Sequence, residues 1–177
     1  MSLKIPVLLG TMRDQAMSDF AAKYVNQLLI LKGVDSQLID PEDYHEKKSF
    51  EREHIQPWSD IMKSADGLII VTPEYNHGYP GPLKEMLDAL YEEFARKPLA
   101  VCGVSAGGLG GARVVEQVKL VGIELHMCPI RESVYFSNVR ELFNEDGTIR
   151  DKSYEARCET MFEELFWFAN ALKGSRQ

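Results

Sequence analysis

Between Thr72 and Leu90 the chain reads TPEYNHGYPGPLKEMLDAL, with two aromatic rings, an amide and an imidazole inside the five residues Tyr75–Tyr79. Tyr75 and Tyr79 offer faces on which a planar ligand can stack. Asn76 and the backbone amides beside it suit the carbonyls and ring nitrogens of a heterocycle. His77 brings an imidazole that could serve as a general acid, although a single loop histidine is more often a hydrogen-bonding surface residue. The apolar run Gly67–Val71 precedes this loop, and Pro80, Gly81 and Pro82 restart the chain as a helix, with Pro82 suited to a first turn.

Two further loops carry polar or bare backbone. In Gly10–Ser18, GTMRDQAMS, Gly10 permits a tight turn, Thr11 and Ser18 bring hydroxyls, and Arg13 brings a bidentate cation. A helix beginning near Ser18 would point free N–H groups at the same place, which makes a phosphate cradle. The competing reading makes Ser18 a plain N-cap, with Asp19 favouring the helix dipole. The third loop, Ser105–Gly111, is SAGGLGG, and its four glycines leave the backbone open to a flat ring.

Rival motifs fare worse. Gly103–Gly107 is formally GxSxG, the turn that presents a hydrolase serine. After Ser105, however, the glycines continue to 111, where a helix should start. The later His126 lies two residues from Glu124 in an expected strand, a poor relay. Gly108-Leu109-Gly110 begins a GxGxxG, but Arg113 stands at the third glycine position. No Gly-Lys-Ser/Thr follows a glycine run, so a P-loop is excluded. Strand one ends in Gly10-Thr11 rather than paired acids, which excludes a phospho-receiver. Cys102, Cys128 and Cys158 make neither a CxxC pair nor a metal-ligand spacing, and no metal is expected.

These loops need strands to hold them. Val7–Leu9 ends at Gly10, and Pro6 fits only at a strand start. Phe20, Tyr24, Leu28 and Leu31 mark a helix stopped by Gly33, and Ser36–Ile39 is a weaker second strand. Asp40–Pro57 is charged and aperiodic, hence a loop with at most a helical turn. Gly67–Val71 is a third strand, apolar enough for burial on both faces. Leu83, Leu87 and Leu90 mark the next helix. Leu99–Val104 is strand four, Val114–Val121 a helix, Glu124–Met127 the expected fifth strand, and Tyr154–Leu172 a last helix. In that helix Phe162, Phe166 and Trp167 widen the apolar face, as a subunit contact would.

Strands alternating with helices imply an α/β fold, a parallel sheet covered on both faces. Five strands fit a flavodoxin-like order, 2-1-3-4-5, whose ligand sits above strands one and three. The 177 residues suit one domain spanning 1–177. Twenty basic and 27 acidic side chains give a net charge of −7, which argues against nucleic-acid and anionic-membrane partners. No run approaches the length of a membrane span and no signal-peptide core opens the chain, so the expected compartment is the cytoplasm.

Together, Gly10-Thr11-Met12-Arg13 to Ser18, Pro73-Glu74-Tyr75-Asn76 with Pro80-Gly81-x-Leu83-Lys84, and Ser105–Arg113 resemble the NAD(P)H-dependent FMN reductase family. Phe143–Gly147, ahead of the last helix, matches the family's usual tail. The resemblance implies that Thr11, Arg13 and Ser18 hold the FMN phosphate, with Asp19 and Phe20 beside them. It places Pro73, Glu74, Tyr75, Asn76 and His77 along the isoalloxazine, and Ser105, Gly107 and Gly108 at its other rim. It further implies hydride transfer from NADPH or NADH to the flavin, then onward by ping-pong to free flavin, a quinone or an azo compound. The flavin carries the chemistry, so no side chain is expected as an essential acid or base. A homodimer or homotetramer is implied as well. A flavin-binding electron carrier is the main alternative, and a serine hydrolase using Ser105 the remote one.

Overall fold

The structure, a computed structural model, describes residues 2–44 and 52–175. Five strands, β1 (Val7–Leu9), β2 (Leu38–Ile39), β3 (Leu68–Pro73), β4 (Pro98–Val104) and β5 (Cys128–Phe136), form one sheet in the order β2-β1-β3-β4-β5. Every neighbouring pair is parallel, so each connection must cross a face of the sheet. The crossings use α1 (Met17–Leu31), α2 (Arg52–Ser64), α3 (Gly81–Asp88) and α4 (Ala112–Glu124); α5 (Val139–Leu142) and α6 (Ser153–Lys173) follow β5. This is the flavodoxin-like arrangement expected from the sequence.

Strand alternation divides the core. Ile69 and Val71 of β3 face α1 and α6, where Val25, Leu29, Met161 and Leu165 are fully buried. Leu68 and Ile70 face α2, α3 and α4, against Trp58, Met62, Leu83 and Val118. On α1 the buried stripe is Ala21, Ala22, Val25 and Leu29, not the larger residues expected. Two alanines let the helix lie close to the sheet, so Phe20, Tyr24 and Leu28 pack only at its border, and Leu31 is 75% exposed.

Two expectations are corrected. The fifth strand does not lie at Glu124–Met127. There α4 continues to Glu124 and closes with Met127 N–H donating to the Gly122 carbonyl and His126 N–H to that of Ile123. That closure puts the residue after the cap in the left-handed region, usually a glycine, but here it is His126 at φ 57°, so no glycine marks the stop. β5 follows at an edge of the sheet with only Ile130, Val134 and Phe136 buried, and its apolar signal is diluted accordingly. Within Asp40–Pro57, positions 45–51 lie outside the described residues, but Arg52–Ser64 is a helix. Its stripe of Ile55, Trp58 and Met62 packs on the core, as does Ala65 just beyond its end, while Pro57 and the surrounding charges obscure the period.

In α6, Phe162 is fully buried and stacks on Phe166, and only Trp167 of the three expected surface aromatics stands 66% exposed. No helix among the described residues is long and apolar enough to cross a membrane.

Candidate functional site

The carboxyl ends of β1, β3, β4 and β5 deliver four loops to one rim of the sheet, where ligands of open α/β folds bind. A cleft of about 530 Å³ opens there, lined by the segments 13–18, 73–75, 104–106 and 139–140.

On the first loop, Thr11 is buried and its Oγ1 accepts the Arg13 backbone N–H at 3.1 Å. α1 starts one residue earlier than expected, with Ala16 as its N-cap and no side-chain cap. Ser18 is therefore inside the first turn, where backbone N–H groups lack helical acceptors. Its hydroxyl is 2% exposed residue-wise and has no hydrogen-bond partner among the described residues. A buried polar group in that condition costs about 1–3 kcal/mol, so a cap role does not explain it. Arg13 is exposed and forms no ion pair among the described residues. Asp19 is neutralised by Lys23 at 2.7 Å. Phe20 packs on Phe143, with ring centroids 5.9 Å apart, outside the cleft.

After β3, Pro73, Glu74 and Tyr75 line the cleft. Tyr75 and Gly78 exchange both backbone hydrogen bonds, at 2.9 and 3.0 Å, around Asn76 and His77, at φ 49° and 70°. Two consecutive left-handed residues define the mirror-image two-residue turn, for which Asn-Gly is the favoured pair; His77 takes the glycine position. The Tyr75 hydroxyl meets Thr11 Oγ1 at 3.2 Å, while Tyr79 packs into the α2–α3–α4 core. The Glu74 carboxylate, only 5% exposed, points away to α4 and accepts from Arg113 Nε at 2.7 Å and from the Arg113 backbone N–H at 3.2 Å. Burial would push its carboxyl up. The hydrogen bond and charge of Arg113, with the first N–H groups of α4, more than offset this and hold it below the ordinary value.

After β4 the four glycines divide. A Cβ on Gly110 would lie 2.7 Å from the Tyr135 backbone, whereas Gly107 and Gly108 have nothing within 4 Å of theirs. Two glycines thus fold the loop and two leave bare backbone at the rim. The Ser105 hydroxyl donates to the Gly107 carbonyl at 2.9 Å. His126 lies at the opposite end of the seven-residue β4, about 20 Å away, where its carbonyl accepts from Arg96. The hydrolase arrangement is therefore not assembled.

A fourth loop was missed from sequence, because the fifth strand was expected too early. Asn138 and Val139 donate N–H groups to the Gly107 and Ser105 carbonyls, both at 3.1 Å. This brings Val139 and the exposed Arg140 to the cleft. Among the described residues no cluster of three or more His, Cys, Asp or Glu side chains could hold a metal ion.

Comparison with known proteins decides the class. The family described as NADPH-dependent FMN reductase matches residues 3–141. This chain belongs to that family. It is an oxidoreductase of the FMN- and NAD(P)H-dependent type. An NAD(P)H-dependent FMN reductase of Schizosaccharomyces pombe is 34% identical over 137 residues, covering 70% of this chain and 68% of the relative. A quinone reductase of Pseudomonas putida is 29% identical over 161 residues, covering 84% and 86%. The flavoenzyme NAD(P)H:(acceptor) oxidoreductase FerB of Paracoccus denitrificans superposes with a TM-score of 0.79 over 95% of this reductase-family chain and 98% of FerB. At 21% identity it attests the fold alone.

Proposed function

We propose that this chain, acting as one FMN-binding domain over residues 1–177, holds FMN in the four-loop cleft and passes electrons from NAD(P)H to a small acceptor. The observation that carries the assignment is the buried Ser18 hydroxyl, which has no hydrogen-bond partner among the described residues. It stands in the first turn of α1 and lines the cleft with Arg13, which has no ion-pair partner among the described residues. A phosphate oxygen would satisfy the hydroxyl, while free helix N–H groups and the guanidinium supply the charge complement.

The rest of the cleft suits a flat heterocycle. Pro73, Glu74 and Tyr75 offer backbone along one edge, and Asn76 and His77 close the loop's tip. Ser105 and the bare Gly107–Gly108 backbone form the opposite rim. When bound, FMN supplies the capacity to accept a hydride and release electrons. The protein orients the ring, and its shallow rim leaves one face for both substrates in turn, so the kinetics are ping-pong. Free flavin, quinones and azo compounds are the acceptors proposed, with similarity to a quinone reductase supporting the second. No side chain serves as an essential acid or base. Cytoplasmic residence and a homodimer or homotetramer complete the reading. The exposed Trp167, Leu120 and Ile123 support the assembly.

The test is a visible spectrum of the purified protein with FMN, followed by NADPH without oxygen. A shifted flavin band that bleaches is the expected result. A shifted band that NADPH leaves intact would instead establish a carrier, and absence of any shift would remove the cleft from consideration.

A further inference from the structure

The turn at Asn76–His77 is expensive for the residues that form it. A non-glycine residue at positive φ is uncommon, and it persists only where its surroundings over-determine it. His77 at φ 70° is the more costly of the two, since asparagine tolerates this region better. The local support is a single bridge, Tyr75 with Gly78, and a hairpin that short does not hold itself in water.

What holds it comes from α4. Arg113 and Gln117 stand four residues apart, on one face of the helix. Arg113 grips the near end through the Glu74 carboxylate, with side-chain contacts at 2.7 and 2.5 Å and its own backbone N–H at 3.2 Å. Gln117 Nε2 donates to the His77 carbonyl at 2.7 Å, at the tip of the turn. Glu74 is tied to β4 as well, its N–H donating to the Val104 carbonyl at 3.0 Å. Neither Arg113 nor Gln117 lines the cleft.

We infer that Arg113 and Gln117 are positioning residues: α4 clamps the Glu74–Gly78 loop into its left-handed turn and so presets the backbone that meets the flavin edge. The inference rests on the cleft being the flavin site. If the clamp raises the population of the competent loop, then removing it raises the apparent FMN dissociation constant by the inverse of the fraction remaining. A single hydrogen bond limits that change to about three- to tenfold.

The decisive experiment is a double-mutant cycle of Gln117→Ala with His77→Gly. FMN affinity is read by fluorescence titration of the apoprotein, and hydrogen exchange is read at the Tyr75 and Gly78 amides without flavin. Gln117→Ala should weaken FMN binding about three- to tenfold and lower protection of both amides. Adding His77→Gly should recover both in part, because glycine removes the left-handed cost that the Gln117 hydrogen bond offsets; a residue that merely stabilises α4 would not be rescued from the loop. Unchanged protection in Gln117→Ala overturns the clamp, as does lowered protection with unchanged FMN affinity. Failure of the unaltered protein to bind FMN would defeat the flavin-site assignment instead, and the exchange data would still decide whether the clamp exists. Arg113→Ala strands a buried carboxylate and can prevent folding, so the Gln117 cycle carries the test.

Discussion

The Tyr75 hydroxyl lies 3.2 Å from Thr11 Oγ1, joining the loop after β3 to the loop after β1. Thr11 Oγ1 also accepts the Arg13 N–H, so one buried oxygen sets the spacing of both loops. Tyr75→Phe removes the link and keeps the ring. It should lower stability by up to about 1 kcal/mol, the net worth of one hydrogen bond. FMN affinity should fall severalfold, through looser spacing of the loops. Urea unfolding and flavin titration measure the two effects, and unchanged values in both would show that the contact positions nothing.

Ser18→Ala separates a structural hydroxyl from a binding one. Because Ser18 Oγ is buried without a partner among the described residues, its removal should leave the apoprotein as stable or raise its stability by up to about 1 kcal/mol. The same change should weaken FMN binding by about tenfold, while riboflavin, which lacks the phosphate, should bind as before. Opposite signs are the diagnostic. A loss of apoprotein stability would mean that the hydroxyl serves the fold.

The glycines of the third loop should behave as two classes. Gly110→Ala forces a Cβ to 2.7 Å from backbone at a φ of +59° and should cost several kcal/mol, in the range of overpacking added to left-handed strain. Gly107→Ala and Gly108→Ala meet open space and should leave thermal unfolding within a degree or two, yet weaken FMN binding if the flavin rim lies against them. Equal thermal effects at 107 and 110 would contradict the division.

Much of this was legible in the chain. β3 and β4 are unbroken apolar runs buried on both faces, and each ends at a loop whose composition is unlike a connector. Order and site followed from those two strands. What failed had local causes. α2 carries Pro57 among charges, and its stripe emerges only once Trp58 and Met62 are seen in the core. β5 is an edge strand, and the helix before it stops on a left-handed His126 instead of a glycine, so Val139 and Arg140 were not counted at the rim. The tethers from Arg113 and Gln117 cross about forty residues of sequence and leave no mark in any local pattern. Glu74 likewise looks like a ligand contact until its carboxylate is seen turned to α4.

The three free cysteines should differ sharply in reactivity. Burial pushes the Cys158 thiol up to about 12, with Glu155 and Glu159 adding to the effect, and burial raises Cys102 well above the ordinary thiol value. The thiolate is the reactive species, so both should be inert in the native protein near pH 8. Cys128 is partly exposed and should react alone. A thiol-disulfide reagent should therefore count one fast thiol in the folded protein and three after denaturation; two or more fast native thiols would refute the burial argument.

The Glu74–Arg113 pair makes a prediction about acid. The folded carboxyl is held below its ordinary value of 4.5, so folding favours the ionised form. Its contribution to stability is present above about pH 4.5 and is lost as pH falls through the depressed folded value. Glu74→Gln should therefore destabilise the protein at pH 7, and the gap from the unaltered protein should narrow steadily below about pH 4.5. Melting temperatures of both proteins between pH 7 and pH 3 provide the measurement. Other carboxylates titrate in the same window, but they do so in both proteins and cancel in the difference. A gap that stays constant across the whole range would mean that the Glu74 charge contributes nothing and that its shape alone supports the loop.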